Sequence, residues 1–341
     1  MTLWWLFISA AGISLVFTGV IRRYALAHSV MDIPNERSSH TVPTPRGGGV
    51  AIVVSFLFLL ISLGAAAYVA WVYVLALLGT GAWVAFIGFL DDRGHIPAKW
   101  RLLAHFVGAA WALYWLDGLP SIAVFGITLN LHWIGPILAA FYLVWMLNLY
   151  NFMDGIDGIA SIEAICVASG GATLYVVIGH SQAAATPALL AFAVAGFLVW
   201  NFPPAKIFMG DAGSGFLGMV LGVLSLQAAW VAPQLLWSWL VLLGVFIVDA
   251  TLTLFRRLLR GDKVYEAHRS HAYQYASRKY GRHLPVTLAV LVINIAWLFP
   301  IAYLIAVGIL EGVIGIVVAY IPLLVIAVLL RAGQLEVLSK N

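Results

Sequence analysis

Five aspartates carry most of the chemistry open to this sequence: the adjacent pair Asp91-Asp92, the spaced pair Asp154-x-x-Asp157, and Asp211. Asp91 and Asp92 close the apolar run WVAFIGFL. A carboxylate at a helix C-terminus faces the negative end of the dipole. Two neighbouring carboxylates resist ionising together unless a cation or hydrogen-bond donors compensate. The pair reads as metal-linked or proton-accepting, with the two side chains pointing different ways; the competing reading is two solvated loop residues. In NFMDGIDG, three-residue spacing puts Asp154 and Asp157 on one helical face, beside Asn151. Helix capping explains one of these three polar residues well and all three poorly. Met209-Gly-Asp211-Ala-Gly213-Ser214-Gly is a glycine-rich turn into a helix start, whose N–H groups could seat a phosphate. Asp211 within it suggests a divalent cation bridging to that phosphate, and oxygen ligands favour Mg²⁺, with Mn²⁺ as the alternative. Glycine-rich helix starts also serve plain packing.

Basic loops flank these acids. MDIPNERSSHTVPTPRGGG offers Arg37, His40 and Arg46 before three glycines, either a phosphate clamp or an ordinary surface loop. Segment 256–285 holds eight basic residues. Arg256, Arg257 and Arg260 suit interfacial anchoring, whereas His268, Arg269 and His271 in AHRSHAYQ supply donors suited to a diphosphate; a solvated loop is the alternative. Other polar residues read as structural. Asp249 lies within an apolar segment and suits a hydrogen-bonded role in the bundle. Glu163 sits near the Asp157 turn and supports it, His105 and Trp111 pack, and Trp4 and Trp5 form an outer belt.

The elements that must position these groups are membrane helices. Of 341 residues, 63% are hydrophobic and 9% charged, and the mean hydropathy is +1.00. Soluble domains are about 25% charged. This excludes a soluble globular enzyme and a disordered chain, and the single Cys166 excludes an intrachain disulfide. Continuous apolar stretches argue against an outer-membrane barrel. Eleven such stretches are expected as transmembrane helices: 3–21, 48–67, 69–90, 100–117, 132–150, 159–179, 183–200, 213–231, 234–255, 286–308 and 311–330. The fold class is thus an all-α polytopic bundle in a single domain over 1–341, with 119–131 as an extended or amphipathic external piece. Numbering the gaps alternately puts all 18 basic residues on one side. The positive-inside rule makes that side cytoplasmic, with the N-terminus outside and the C-terminus inside. Loops 22–47, 91–99, 151–158, 201–212 and 256–285 then share the cytoplasmic face. Ten of the 14 acidic residues fall there too: Asp32, Glu36, Asp91, Asp92, Asp154, Asp157, Asp211, Asp262, Glu266 and Glu336. The net charge of +4 suits anionic lipid and phosphorylated ligands rather than nucleic acid.

A carboxylate cluster, glycine turns and Arg/His loops at a cytoplasmic membrane surface fit phosphoryl-type transfer from a soluble nucleotide donor to a lipid. The motifs DIPNERSSHTVPTPRGGG, GFLDDRGHIPAKWR, NLYNFMDGIDGIAS, NFPPAKIFMGDAGSGFLG and YEAHRSHAYQ occur in order on one side. Over about residues 30–285 they resemble the polyprenyl-phosphate N-acetylaminosugar-1-phosphate transferases, glycosyltransferase family 4. HRSHAYQ looks closest to the O-antigen-initiating branch.

The resemblance implies transfer of GlcNAc- or FucNAc-type 1-phosphate from a UDP-N-acetylaminosugar to undecaprenyl phosphate. UMP is released, and a lipid-linked surface polysaccharide is begun at a bacterial inner membrane. It implies Mg²⁺ held by Asp211 with Asp92, and a base for the lipid phosphate among Asp91 and Asp92. It implies a nucleotide-sugar and metal loop of Asn151, Asp154 and Asp157, joined by Arg46, and a donor-gripping loop of His268, Arg269 and His271. Several family members carry two or three neighbouring histidines where this chain has His268-Arg-Ser-His271, so the division between the two rings stays open. A homodimer is consistent with the resemblance. Direct attack on the β-phosphorus is expected over a covalent aspartyl-phosphate. The rival classes are a polytopic transporter, which would place charge and broken helices at the midplane, and an intramembrane aspartyl protease, which would need neither Mg²⁺ nor the basic loops.

Overall fold

The computed structural model describes residues 3–34, 42–94, 96–263 and 268–335. Glu36, Arg37, His40, Tyr265, Glu266, Glu336 and Lys340 lie outside the described residues. Each of the eleven apolar stretches forms a helix or a broken helix. The first eight are α1 (Trp4–Ala27), α2 (Val50–Ala65), α3 (Trp71–Gly94), α4 (Ala98–Leu116), α5 (Ile134–Met153), α6 (Ile159–Val177), α7 (Ala185–Asn201) and α8 (Asp211–Val231). The ninth stretch is α9 (Gln234–Leu242) and α10 (Gly244–Arg260), which meet at 73°. Gly244 stands at that break, and a glycine is a usual cause of a sharp kink. After the short α11 (Ala272–Tyr280) comes α12 (Leu284–Ile293), a π-turn at Asn294–Leu298 and α13 (Phe299–Ala306), then α14 (Gly312–Leu329).

Among the described residues, seven helices are long and apolar enough to cross a membrane, or eight if α9 and α10 form one span. The expectation of eleven spans exceeds that number for physical reasons. Val50–Ala65 and Ala185–Asn201 have 16 and 17 residues, about 25 Å at 1.5 Å per residue, short of a hydrocarbon core of about 30 Å. In α4, Lys99, Arg101 and His105 dilute the apolar run.

The core is organised around α8. Of its most apolar stretch, 89% is buried inside the protein, against 22% for α1 and 28% for α14. It packs on α2, α3, α5, α6 and α9. Small residues allow this, because helices in lipid associate by close van der Waals packing rather than by hydrophobic expulsion. A Cβ added at Gly88 of α3 would stand 2.6 Å from the Asp211 carbonyl oxygen at the start of α8.

Among the described residues, two short antiparallel strand pairs complete the fold. Met31–Asp32 (β1) pairs antiparallel with Thr44–Pro45 (β2), so Arg46 enters the bundle from a fixed strand end. Segment 119–131 contains the antiparallel hairpin Ile122–Val124 (β3) and Ile127–Leu129 (β4). Glu311 fastens that hairpin to α14. One carboxylate oxygen accepts from Phe125 N and the other from Ile314 N, the N-cap bond of the helix, both at 3.0 Å.

Candidate active site

The site begins with the start of α8. Asp92 lies one turn beyond Gly88, on the same face of α3. Its Oδ1 accepts from Asp211 N at 3.0 Å and its Oδ2 from Ala212 N at 3.3 Å. Gly213 N and Ser214 N donate to Gly210 O at 3.1 and 3.0 Å. All four amides at this helix start are therefore engaged within the protein. Gly213 instead permits contact with α2, for a Cβ there would lie 2.6 Å from Gly49 Cα. The Ser214 hydroxyl donates to Gly210 O and accepts from Asn151 Nδ2 at 3.0 Å, linking α8 to the end of α5.

Arg46 spans the same turn. Its Nη2 lies 2.6 Å from Asp92 Oδ1 and 2.9 Å from Asp211 Oδ1. Burial opposes the guanidinium charge, but Asp211, Asp92 and Asp32 more than offset that and raise its pKa above the ordinary value. Asp91 faces elsewhere, as its adjacency to Asp92 requires. It pairs with Arg101 and accepts from Ile96 N, its side chain only 4% exposed. Burial, then Asp211, raises the half-buried Asp154 carboxyl well above the usual carboxylate range.

Other loops lock onto this centre. Asp157 Oδ2 accepts from Ala205 N at 3.0 Å, and its Oδ1 is 3.1 Å from His283 Nδ1. Gly48 N and Gly49 N donate to Phe208 O and Met209 O, both at 2.9 Å. Tyr273 donates its hydroxyl proton to Phe152 O. Asp249, on α10, caps α11 in the way Asp92 caps α8: it accepts from Ala272 N and Tyr273 N at 2.9 and 3.0 Å, and from His271 Nδ1 at 3.3 Å. His271 is buried and its Nε2 has no hydrogen-bond partner. His268 lies 4.8 Å away, ring centre to ring centre, with its Nδ1 on the Ser270 hydroxyl. Burial, His271 and Arg257 push the His268 pKa down to about 3. The Arg269 carbonyl accepts from Arg278.

A model of glycosyl transferase family 4 matches residues 74–229, from α3 through α8. The decaprenyl-phosphate N-acetylglucosaminephosphotransferase of Mycolicibacterium smegmatis is 31% identical over 309 residues, covering 77% of this chain and 73% of that one. The chain belongs to this family of polyprenyl-phosphate aminosugar-1-phosphate transferases. Two further relatives lie close by. An undecaprenyl-phosphate alpha-N-acetylglucosaminyl 1-phosphate transferase of Thermotoga maritima is 28% identical, over 79% of this chain and 80% of its own. A phospho-N-acetylmuramoyl-pentapeptide-transferase of Streptococcus thermophilus is 30% identical, over 73% and 72%.

In this family 4 chain, one cavity of about 220 Å³ collects Arg46, Asn151, Asp154, Asp157, Asp211 and Ser214. Asp91, Asp92, Gly213, His268, Arg269 and His271 lie outside its lining. Sequence reasoning did not single out Asn201 and His283, which do line it. Asn201 accepts from Gly158 N and donates to Ile207 O, both at 3.1 Å, so it ties two site loops together. Next to this cavity, a mainly apolar one of about 180 Å³ is lined by Ile21, Tyr24, Val50 and Phe89 together with Arg46 and Asp92. The two cavities share Arg46.

The donor set fits a hard divalent cation in one specific way. Among the described residues, no three acidic, His or Cys side chains are grouped closely enough to hold a metal. Mg²⁺ does not require that, since it is commonly held by one or two carboxylates plus waters and substrate phosphates. Asp211 and Asp154 share the cavity as mutually repelling carboxylates, an arrangement a cation relieves. Asp92 fits less well as a ligand, because its oxygens already face two amides and Arg46.

Proposed function

We propose that this protein transfers an N-acetylaminosugar 1-phosphate, of GlcNAc or FucNAc type, from a UDP-sugar to undecaprenyl phosphate. UMP leaves, and the lipid-linked product begins a surface polysaccharide such as an O-antigen. The observation that carries this reading is the polar, acid-lined cavity joined through Arg46 to an apolar one. A charged nucleotide-sugar suits the first and a lipid chain the second.

The chemistry follows from that pairing. An oxygen of the lipid phosphate attacks the β-phosphorus of the donor. The new P–O bond forms as the bond from the β-phosphorus to the bridging oxygen breaks, and UMP takes the electron pair. Mg²⁺, when bound by Asp211 and Asp154, supplies charge neutralisation on the diphosphate. Arg46 binds phosphate from either cavity and holds both reactants in register. Asn151 orients the donor. Asp92, which borders the apolar cavity, is the better placed of the adjacent pair to meet the acceptor headgroup. Asp157 and His283 hold the loop, and the His268, Arg269 and His271 loop adjoins the donor side through Gln274, which lines the cavity and accepts from His271 N. We assign the site to the cytoplasmic leaflet of a bacterial inner membrane, with eleven crossings, N-terminus outside and C-terminus inside. The support is the one-sided distribution of basic residues.

The test is UMP release by purified protein given undecaprenyl phosphate, Mg²⁺ and a panel of UDP-N-acetylaminosugars. One donor should support turnover, and EDTA should abolish it. Turnover that survives EDTA removes the metal from the scheme, and no UMP from any donor removes the reaction. Peptide cleavage insensitive to EDTA would point instead to the protease class.

A further inference from the structure

We propose that a second cavity, at the opposite end of the bundle, binds a neutral sugar, either free or as the headgroup of a glycolipid. This cavity measures about 400 Å³, within the roughly 300–1,000 Å³ usual for small-molecule sites. It lies between the connections that follow α2 and α6 and the far end of α8. Gln227, in its wall, is 16 residues along α8 from Asp211 (227 − 211), about 24 Å at helical rise. The cavity is therefore separate from the transfer site.

Its lining states what it would take. Tyr68, Tyr73, His180, Gln182, Thr186 and Gln227 contribute polar side chains, and no Asp, Glu, Lys or Arg is among the lining residues. A phosphate or carboxylate would find no fixed cation there, and a metal ion no carboxylate. Gln227 is only 6% exposed, and its Oε1 has no hydrogen-bond partner. That oxygen is closed off from the cavity as it stands, and a half-turn of the side-chain amide presents it to an O–H or N–H donor from whatever fills the space. A lipid tail would leave it unmet. Tyrosines offer flat apolar faces with polar tips, a match for a ring that carries hydroxyls on its edge and C–H groups on its face. The rim is also built. The Gln182 side-chain amide donates to Ala67 O and Tyr68 O at 3.3 and 3.1 Å, which pins one connection to the other.

The experiment uses the full chain in lipid nanodiscs free of sugar detergents. In one arm, saturation-transfer NMR follows methyl glucoside and methyl N-acetylglucosaminide. In the other, nanodiscs are doped with monoglucosyl diacylglycerol, and retained glycolipid is measured by mass spectrometry after exchange into plain lipid. Saturable transfer to a free glycoside identifies a free-sugar site, and selective retention of the glycolipid identifies a headgroup site. In either case Gln227→Leu should weaken binding tenfold or more, with UMP release unchanged. Ser181→Trp fills the cavity from an exposed rim position and should do the same without touching the core. The proposal falls if neither probe binds, or if both variants bind as the parent does.

Discussion

At the residue scale, the site depends on what each carboxylate already does. Asp211 is the carboxylate of the α8 turn that faces the acid-lined cavity. Asp211→Asn should cut UMP release by two orders of magnitude or more while leaving thermal stability in detergent close to the parent. Asp92→Asn should differ by doing both. It removes a charge that accepts from two amides and pairs with Arg46, so the melting temperature should fall along with turnover, by an amount corresponding to about 1–3 kcal/mol. A variant with normal turnover and normal melting would remove Asp92 from both roles. His268 gives a pH prediction. Burial, His271 and Arg257 hold its pKa down near 3, so the ring is already neutral at physiological pH. A depressed histidine pKa lowers stability only below the ordinary value of about 6.5. His268→Gln should therefore leave the pH–rate profile between 6 and 8 unshifted, and a displaced limb would refute the assignment.

At the element scale, the close approach of α3 to α8 is the critical joint. Gly88→Ala would drive a methyl group into the backbone at Asp211. It should reduce transfer activity more than it reduces expression, because it moves Asp92 off the amides it caps. Away from the site, Glu311→Ala should lower the melting temperature modestly, on the order of 1 kcal/mol for a lost helix cap, with kcat untouched. Much at this scale was legible in the sequence. Apolar run length located the helices, and the aspartates stood out because they interrupt those runs at helix ends. The phosphate seat at Gly213 and Ser214 could not be judged that way, since a glycine-rich turn looks the same whether its amides are open or taken by a distant carboxylate. His283 was invisible for a related reason. Its partner Asp157 lies 126 residues away, and nothing local to either residue announces the pairing.

At the scale of the whole molecule, the chain brings polar loops from five separate stretches to one end of a bundle whose middle is apolar. Composition marks a segment as apolar without saying whether it reaches across, so eleven apolar stretches meet only seven or eight helices long and apolar enough to cross among the described residues. Cysteines placed singly at Ser181 and at Lys206 test the proposed orientation. A membrane-impermeant thiol reagent applied to intact cells should label position 181 and spare 206. The reverse pattern would turn the topology over.

The near-complete enclosure of α8 has a consequence for biogenesis. In the finished molecule its glycine-dotted surface meets protein on almost every side, yet during synthesis it must cross into the bilayer before later partners such as α9 exist. Its mean hydropathy of 1.6 is thus a demand of that passage rather than of the final resting place, where small side chains matter more than oily ones. Polar replacements along α8 should be punished at insertion, by the translocation machinery, before any question of turnover arises.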